Sequence, residues 1–264
     1  MYLDLLKRCL TAYIYPESGY REVRPHSDMG IARRIVSKAF AKRGYKLLKI
    51  TPFDSNERDF GKDWPWFGYS MIGLRRLSNL QDCVETILAE NVPGDLMETG
   101  VWRGGACILM RAVLKAHDVR DRNVYLADSF AGLPAPTHQA DRGYDLSKET
   151  YLAVSAQDVR MAFEKFGLMD DQVKFLEGWF KDTLPAAPID RLALLRLDGD
   201  LYESTMDVLT SLYEKVSTQG FIIVDDYHSW PPCKQAVNDF RLRFNITELI
   251  EEIDGSGVFW RKSS

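Results

Sequence analysis

The sequence predicts a doubly wound, mostly parallel α/β sheet behind a helical or irregular amino-terminal segment, and three observations carry that prediction. From Asn79 onward, short apolar runs of strand length alternate with stretches on helical spacing, the pattern of successive βαβ units. One run, Asp95 to Thr99, feeds a glycine-rich turn, Gly100-Val101-Trp102-Arg103-Gly104-Gly105. Two others end abruptly in acids: Asp198 and Asp200 after the run from Leu192, Asp225 and Asp226 after the run from Phe221. In open parallel sheets, ligands bind beyond the carboxyl ends of the strands. Neighbouring strands lie about 4.8 Å apart, so acids at two such ends converge on one point.

Residues 1 to 78 lack the alternation and form a first segment, read as a lid or oligomer contact. They are rich in aromatics and turn formers, as in Phe53-Asp54-Ser55-Asn56 and in the stretch Trp64-Pro65-Trp66-Phe67-Gly68-Tyr69. The sheet domain, 79–264, then unfolds in order. Leu80 to Glu90 reads as a helix, Asp95 to Thr99 as a buried strand, and Gly104 to His117 as a helix. A strand follows at Val124 to Asp128, and a helix at Ser155 to Gly167 with Ser155 as N-cap. Further strands are predicted at Val173 to Gly178, Leu192 to Asp198 and Phe221 to Asp226, with helices at 203–216 and 233–244. The closing pair, Ile246 to Ile253 and Gly257 to Lys262, is joined at Asp254-Gly255-Ser256-Gly257, a hairpin-type turn, so the last strand should run antiparallel. Such a sheet resembles that of class I methyltransferases. The segment Phe130 to Leu152, with Pro134, Pro136 and Gly143, exceeds ordinary loop lengths and is a candidate functional lid.

A composition of 45% hydrophobic and 27% charged residues is that of a globular enzyme, and a net charge of −4 supplies no global field for nucleic acid or an anionic membrane. Neither partner is expected. The four cysteines form no CxxC pair and fall inside apolar helical patterns, as free thiols of a reducing compartment do. Asp4, Lys7 and Arg8 interrupt the apolar opening before a signal-peptide core can form, and no run approaches the ~20 residues of a membrane span. A cytoplasmic protein is expected.

The glycine turn is the first half of a site. Trp102 stands where the GxGxxG dinucleotide fingerprint needs its second glycine, and a bulky side chain there obstructs a pyrophosphate. S-adenosylmethionine has no phosphate and tolerates it. Asp128 ends the second strand, either as acceptor for ribose hydroxyls or as a helix cap. Gly178 and Trp179 end the third, where they either present backbone and an aromatic face to adenine or pack in the core. Asp198, Asp225 and Asp226 form the second half, hard oxygen ligands suited to Mg²⁺. No His/Cys set suits zinc.

Taken together, the stretches Met71 to Leu77, Glu98 to Gly105, Asp128 to Phe130, Gly132 to Pro134, Glu177 to Phe180, Leu197 to Thr205 and Val224 to Tyr227 closely resemble the macrocin O-methyltransferase family. The resemblance runs from about residue 69 to the C-terminus. It implies Mg²⁺-dependent transfer of a methyl group from S-adenosylmethionine to a hydroxyl of a deoxysugar or sugar on a glycosylated natural product. By position, Asp198, Asp225 and Asp226 would hold the metal. Asp200 would be the base or would orient metal-bound water, and His228 is either an alternative base or a solvent-facing loop residue. Met71, Glu98, Thr99, Gly100, Arg103, Asp128, Ser129, Gly178, Trp179 and Asp198 would contact the cofactor. A small-molecule glycosylated acceptor is the implied partner, with a homodimer the expected assembly. Trp64 to Tyr69 and the segment Phe130 to Leu152 would cover an apolar aglycone, or the aromatics pack the first segment onto the sheet. Two other readings stand beside this one: a catechol-type methyltransferase, which shares the turn and strand-end metal but methylates an acidic phenol, and a non-catalytic adenosyl-ligand or metal-binding protein of the same fold.

Overall fold

A computed structural model describes residues 1–15, 20–22, 31–45, 48–50, 52–63, 65 and 67–263. Trp64 and Trp66, two of the aromatics singled out above, lie outside the described residues. The chain opens with α1 (Tyr2–Leu10), whose Leu6 and Leu10, four residues apart, lie on one buried face. Strands β1 (Tyr20–Glu22) and β2 (Leu48–Ile50) pair antiparallel on either side of α2 (Ile31–Ala41) in the chain. Phe53-Asp54-Ser55-Asn56, read as a turn, starts a helix instead. The Asp54 carboxylate accepts from the Asn56 and Glu57 amides at 2.9 and 3.2 Å, capping α3 (Ser55–Asp59).

Helix α4 (Leu74–Ala89) begins ahead of the predicted Leu80. Leu77, Leu80, Val84 and Ile87 repeat at three- and four-residue intervals and are all buried, so the apolar face starts before Asn79. The adjacent Arg75-Arg76 disguised it, because Arg76 is itself buried.

The main sheet follows. Strands β3 (Asp95–Thr99), β4 (Val124–Asp128), β5 (Val173–Glu177), β6 (Leu192–Leu197) and β7 (Val216–Val224) are parallel; β8 (Glu251–Glu252) and β9 (Val258–Arg261) close it in the order β5-β4-β3-β6-β7-β9-β8. As predicted, the last strand, β9, lies antiparallel to β7. Ile246 to Ile250, expected to extend its partner, stays irregular. Ser263 returns its amide to the Glu248 carboxylate and Arg241 donates to the Glu248 carbonyl, so this edge is occupied by side-chain bonds and only two residues pair.

Helices α5 (Gly105–Ala116), α6 (Ala156–Lys165), α7 (Phe180–Thr183), α8 (Tyr202–Leu212) and α9 (Pro231–Arg243) cover both faces. Alternation along the strands divides the core: Leu96, Leu194, Phe221 and Ile223 face α1, α4, α5 and α6, while Met97, Leu195, Ile222 and Val224 face α8 and α9. Ser155 caps α6 through a 3.1 Å bond from the Asp158 amide, as expected. Between β4 and α6, the segment 130–152 holds only two 3₁₀ turns, Gln139–Asp141 and Thr150–Leu152. Cys83, Cys107 and Cys233 are buried and, like Cys9, unbridged. Among the described residues, no helix is long and apolar enough to cross a membrane.

Candidate active site

Loops leaving the carboxyl ends of β3, β4, β5 and β6 surround one cleft with about 1140 Å³ of empty space, open solvent included. Of the predicted site residues, Met71, Gly100, Asp128, Ser129, Gly178, Trp179, Asp198 and Asp200 line it. Glu98, Thr99, Arg103, Asp225, Asp226 and His228 do not. Thr99 is fully buried, and Arg103 donates to the Gly68 carbonyl at 2.8 Å while its guanidinium lies 4.3 Å from the Trp102 ring centroid. His228 sits on the far side of β7's end, its Nε2 paired with Glu252 Oε1 at 2.7 Å.

The glycine turn is forced by backbone crowding. A Cβ on Gly100 would fall 1.7 Å from the Asp198 carbonyl oxygen, and its φ of +87° belongs to the left-handed region. The glycine therefore lets the β3 and β6 ends touch. Gly105 serves packing as well, since its Cβ would meet the Tyr69 carbonyl at 2.5 Å. Asp128 braces the turn: its two carboxylate oxygens accept from the Val101 and Phe130 amides at 2.7 and 2.8 Å. Burial raises its pKa while those amides pull it back down. Trp102, Phe130 and Asp200 hold φ values of 47°, 53° and 59°, conformations costing of order 1–3 kcal/mol for a side-chain-bearing residue. All three lie on loops following strands β3, β4 and β6, where the cleft is.

Beside the cleft, one ligand oxygen from each of Asp198, Asp225 and Asp226 lies within 4.8 Å of the others. Parallel pairing brings the ends of β6 and β7 side by side, with Leu197 opposite Val224, so the acids that follow must converge. At an effective dielectric of about 20, unit charges that close repel by roughly 3 kcal/mol. Burial first, then the neighbouring acids, pushes Asp226 well above the usual carboxylate range and raises Asp198. Asp200 is pushed up to about 8 by burial first and then by Asp198 and Asp225.

Two arginines offset part of this charge. Arg196, next to last in otherwise apolar β6, is 1% exposed and grips three acids: Glu98, Asp198 at 2.8 Å, and Asp225. Arg76 from α4 takes the other Asp225 oxygen and pairs with Asp254 at 3.0 Å in the hairpin turn. Glu98, raised to about 7 by burial, also accepts from the Cys107 thiol at 2.7 Å. Asp226 is left over: its buried Oδ2 has no hydrogen-bond partner. An orphaned carboxylate oxygen inside a hard-oxygen cluster with surplus negative charge fits a divalent cation.

Neither arginine stood out in the sequence. The readable signal was a charged residue inside LALLRL, since a buried arginine requires paired carboxylates. Asp141, buried at the cleft wall, carried no such signal within a long aperiodic segment.

Known proteins bear on this arrangement. The family described as macrocin O-methyltransferase (TylF) matches residues 1–262, so residues 1 to about 60, in which no motif was legible, lie within the match. A demethyldecarbamoylnovobiocin O-methyltransferase from Streptomyces niveus is 48% identical over 267 residues, covering 100% of this chain and 94% of that protein. A mycinamicin III 3''-O-methyltransferase from Micromonospora griseorubida is 46% identical over 270 residues, covering 100% and 97%. The solved structure of the O-methyltransferase NovP superposes with a TM-score of 0.86 at 47% identity, covering 100% of this chain and 98% of the other. The calicheamicin methyltransferase CalS11, 17% identical with a TM-score of 0.59 over 91% of this chain and 96% of its own, shares the fold. The chain therefore belongs to the macrocin O-methyltransferase family and is an S-adenosylmethionine-dependent O-methyltransferase.

Proposed function

We propose that the protein methylates a hydroxyl of a sugar or deoxysugar on a glycosylated small molecule, with a divalent cation, Mg²⁺, held at Asp198, Asp225 and Asp226. The meeting of three strand-end aspartates beside a cleft edged by the Gly100 turn is the observation that carries this reading. Full-length relatives named for methylation of glycosylated antibiotics support the acceptor class.

S-adenosylmethionine, when bound, supplies an activated methyl group, and the cation supplies a Lewis acid that acidifies a coordinated hydroxyl. The chain supplies alignment and proton removal. Met71, Gly100, Asp128, Ser129, Gly178 and Trp179 would form the cofactor end of the cleft, where Asp128 fixes the turn and would accept from the ribose hydroxyls. Asp198, Asp225 and Asp226 would hold the cation, with Asp225 fixed in place by the guanidinium groups of Arg76 and Arg196. Asp200 takes the proton at its carboxylate oxygen, a general-base contribution of typically ~10²–10⁴-fold. The segment 1–78 contributes Met71 to the cleft wall. The segment 130–152 excludes water over the apolar aglycone.

Incubation with S-adenosylmethionine, Mg²⁺ and a panel of glycosylated metabolites and simple catechols tests this by mass. A gain of one methyl on a sugar is expected; methylation confined to catechols would replace the acceptor class.

A further inference from the structure

Helix α8 begins at Tyr202 with Leu201 in its N-cap position, a side chain with no acceptor to offer. The acceptor comes from elsewhere in the chain. Asp141, 61 residues earlier and 1% exposed, places Oδ1 at 2.7 Å from the Tyr202 amide and Oδ2 at 3.1 Å from the Glu203 amide. A carboxylate at a helix N-terminus also meets the positive end of the helix dipole. Burying it is tolerated because both oxygens are bonded.

Asp141 is the centre of a broader attachment. His138 stacks on Tyr202 with ring centroids 4.3 Å apart and planes 6° from parallel, and Thr137 Oγ1 donates to Glu203 Oε2 at 2.5 Å. Tyr144 stands edge-on to Trp230, 5.9 Å away. At the other end of the segment, the Tyr151 carbonyl accepts from the Trp102 indole at 2.9 Å. Residues 137–144 thus grip the first turn of α8, which starts two residues downstream of Asp200, and touch Trp230 as well.

We propose that Asp141 is a positioning residue of the transfer reaction: it caps α8 from the segment 130–152, so that Asp200 is correctly placed only while that segment is seated over the cleft. Seating and proton removal are then one event. Asp200 holds a left-handed φ of 59°, a conformation that persists only where its surroundings enforce it, and the capped helix is one of those restraints. When the segment lifts, α8 loses its cap, the loop 199–201 relaxes, and the base leaves its position.

The inference rests on the methyl-transfer reading, so the test has one arm that needs no turnover. Amide hydrogen exchange is measured across 137–144 and 199–206 in the full-length parent, Asp141→Ala and Asp141→Asn. In Asp141→Ala both stretches should exchange about tenfold faster, and Asp141→Asn, which keeps an acceptor oxygen, should restore most of the protection. In parallel, kcat on a glycoside acceptor that the parent methylates should fall about tenfold in Asp141→Ala with cofactor affinity unchanged by calorimetry, and recover in Asp141→Asn. His138→Ala, which removes the stacked ring and the 3.2 Å bond that its Nδ1 accepts from the Ala140 amide, should shift both readouts in the same direction by about threefold and serves if Asp141→Ala does not fold. Exchange that rises in one stretch alone overturns the coupling. Unchanged kcat despite a loosened α8, or cofactor affinity falling in step with kcat, overturns the positioning role. A parent protein that methylates no glycoside overturns the functional reading, and the exchange arm still decides whether the segment and the helix move together.

Discussion

Arg196 is next to last in a central strand whose other residues are all apolar, and it bonds to each of Glu98, Asp198 and Asp225, which lets them share so small a space. Removing one partner of a buried ion pair leaves the others uncompensated, at a typical cost of about 3–5 kcal/mol. Arg196→Met should therefore destabilise the fold by at least about 3 kcal/mol in urea unfolding; a change under about 1 kcal/mol would mean that the three acids need no counter-charge. Asp200 carries a different expectation, because its work is chemical. Asp200→Asn is nearly isosteric and an amide is no base near neutral pH, so single-turnover methyl transfer should slow about 10²-fold or more, with cation and cofactor affinities retained. Loss of cation binding in this variant would make Asp200 a ligand. The strand-end acids were legible because abrupt termination of an apolar run by carboxylates is rare without a purpose. The arginines that hold them were hidden, one inside the same apolar run and one in a pair of adjacent arginines that reads as a solvated face.

At the scale of elements, legibility followed the strength of the periodic signal. Strands β3 to β6 and helices α5, α6 and α9 lie where apolar runs and helical spacing placed them, because burial on two faces leaves little choice of residue, whereas α8 ends at Leu212, short of the predicted 216, and β7 starts at Val216, five residues before the predicted Phe221. The short elements, α3 and α7, were not seen: five and four residues are too few for a period. Ile246 to Ile250 looked like a strand by its apolar content, but side-chain bonds from Arg241 and Ser263 hold it in another conformation. The Gly100 turn was legible as a motif, whereas its reason, contact with the Asp198 carbonyl, appears only in three dimensions. Gly100→Ala should accordingly cost at least about 3 kcal/mol, through steric overlap and left-handed strain together. Gly143→Ala, at φ +92° with nothing within 4 Å of the added Cβ, should cost only about 1 kcal/mol. Equal losses in urea unfolding would remove the close approach of β3 and β6 as the explanation.

The whole molecule joins an amino-terminal segment to a sheet domain through the same charges that build the site. Arg76, on a helix that runs across the boundary drawn at residue 78, binds Asp225 at the end of β7 and Asp254 in the final hairpin, and its second Nη lies 3.5 Å from the Phe60 carbonyl. Segment, sheet and hairpin therefore meet at one acid cluster, and the sequence hid this because the partners are up to 178 positions apart, from Arg76 to Asp254. What the cluster lacks is enough positive charge, and the orphaned Asp226 oxygen marks where it is missing. The most direct measurement is the rate of methyl transfer to a glycosylated acceptor by protein stripped of metal, before and after Mg²⁺ is restored. Activity should vanish on stripping and return with Mg²⁺ to its original rate; full activity in verified metal-free protein would contradict the account.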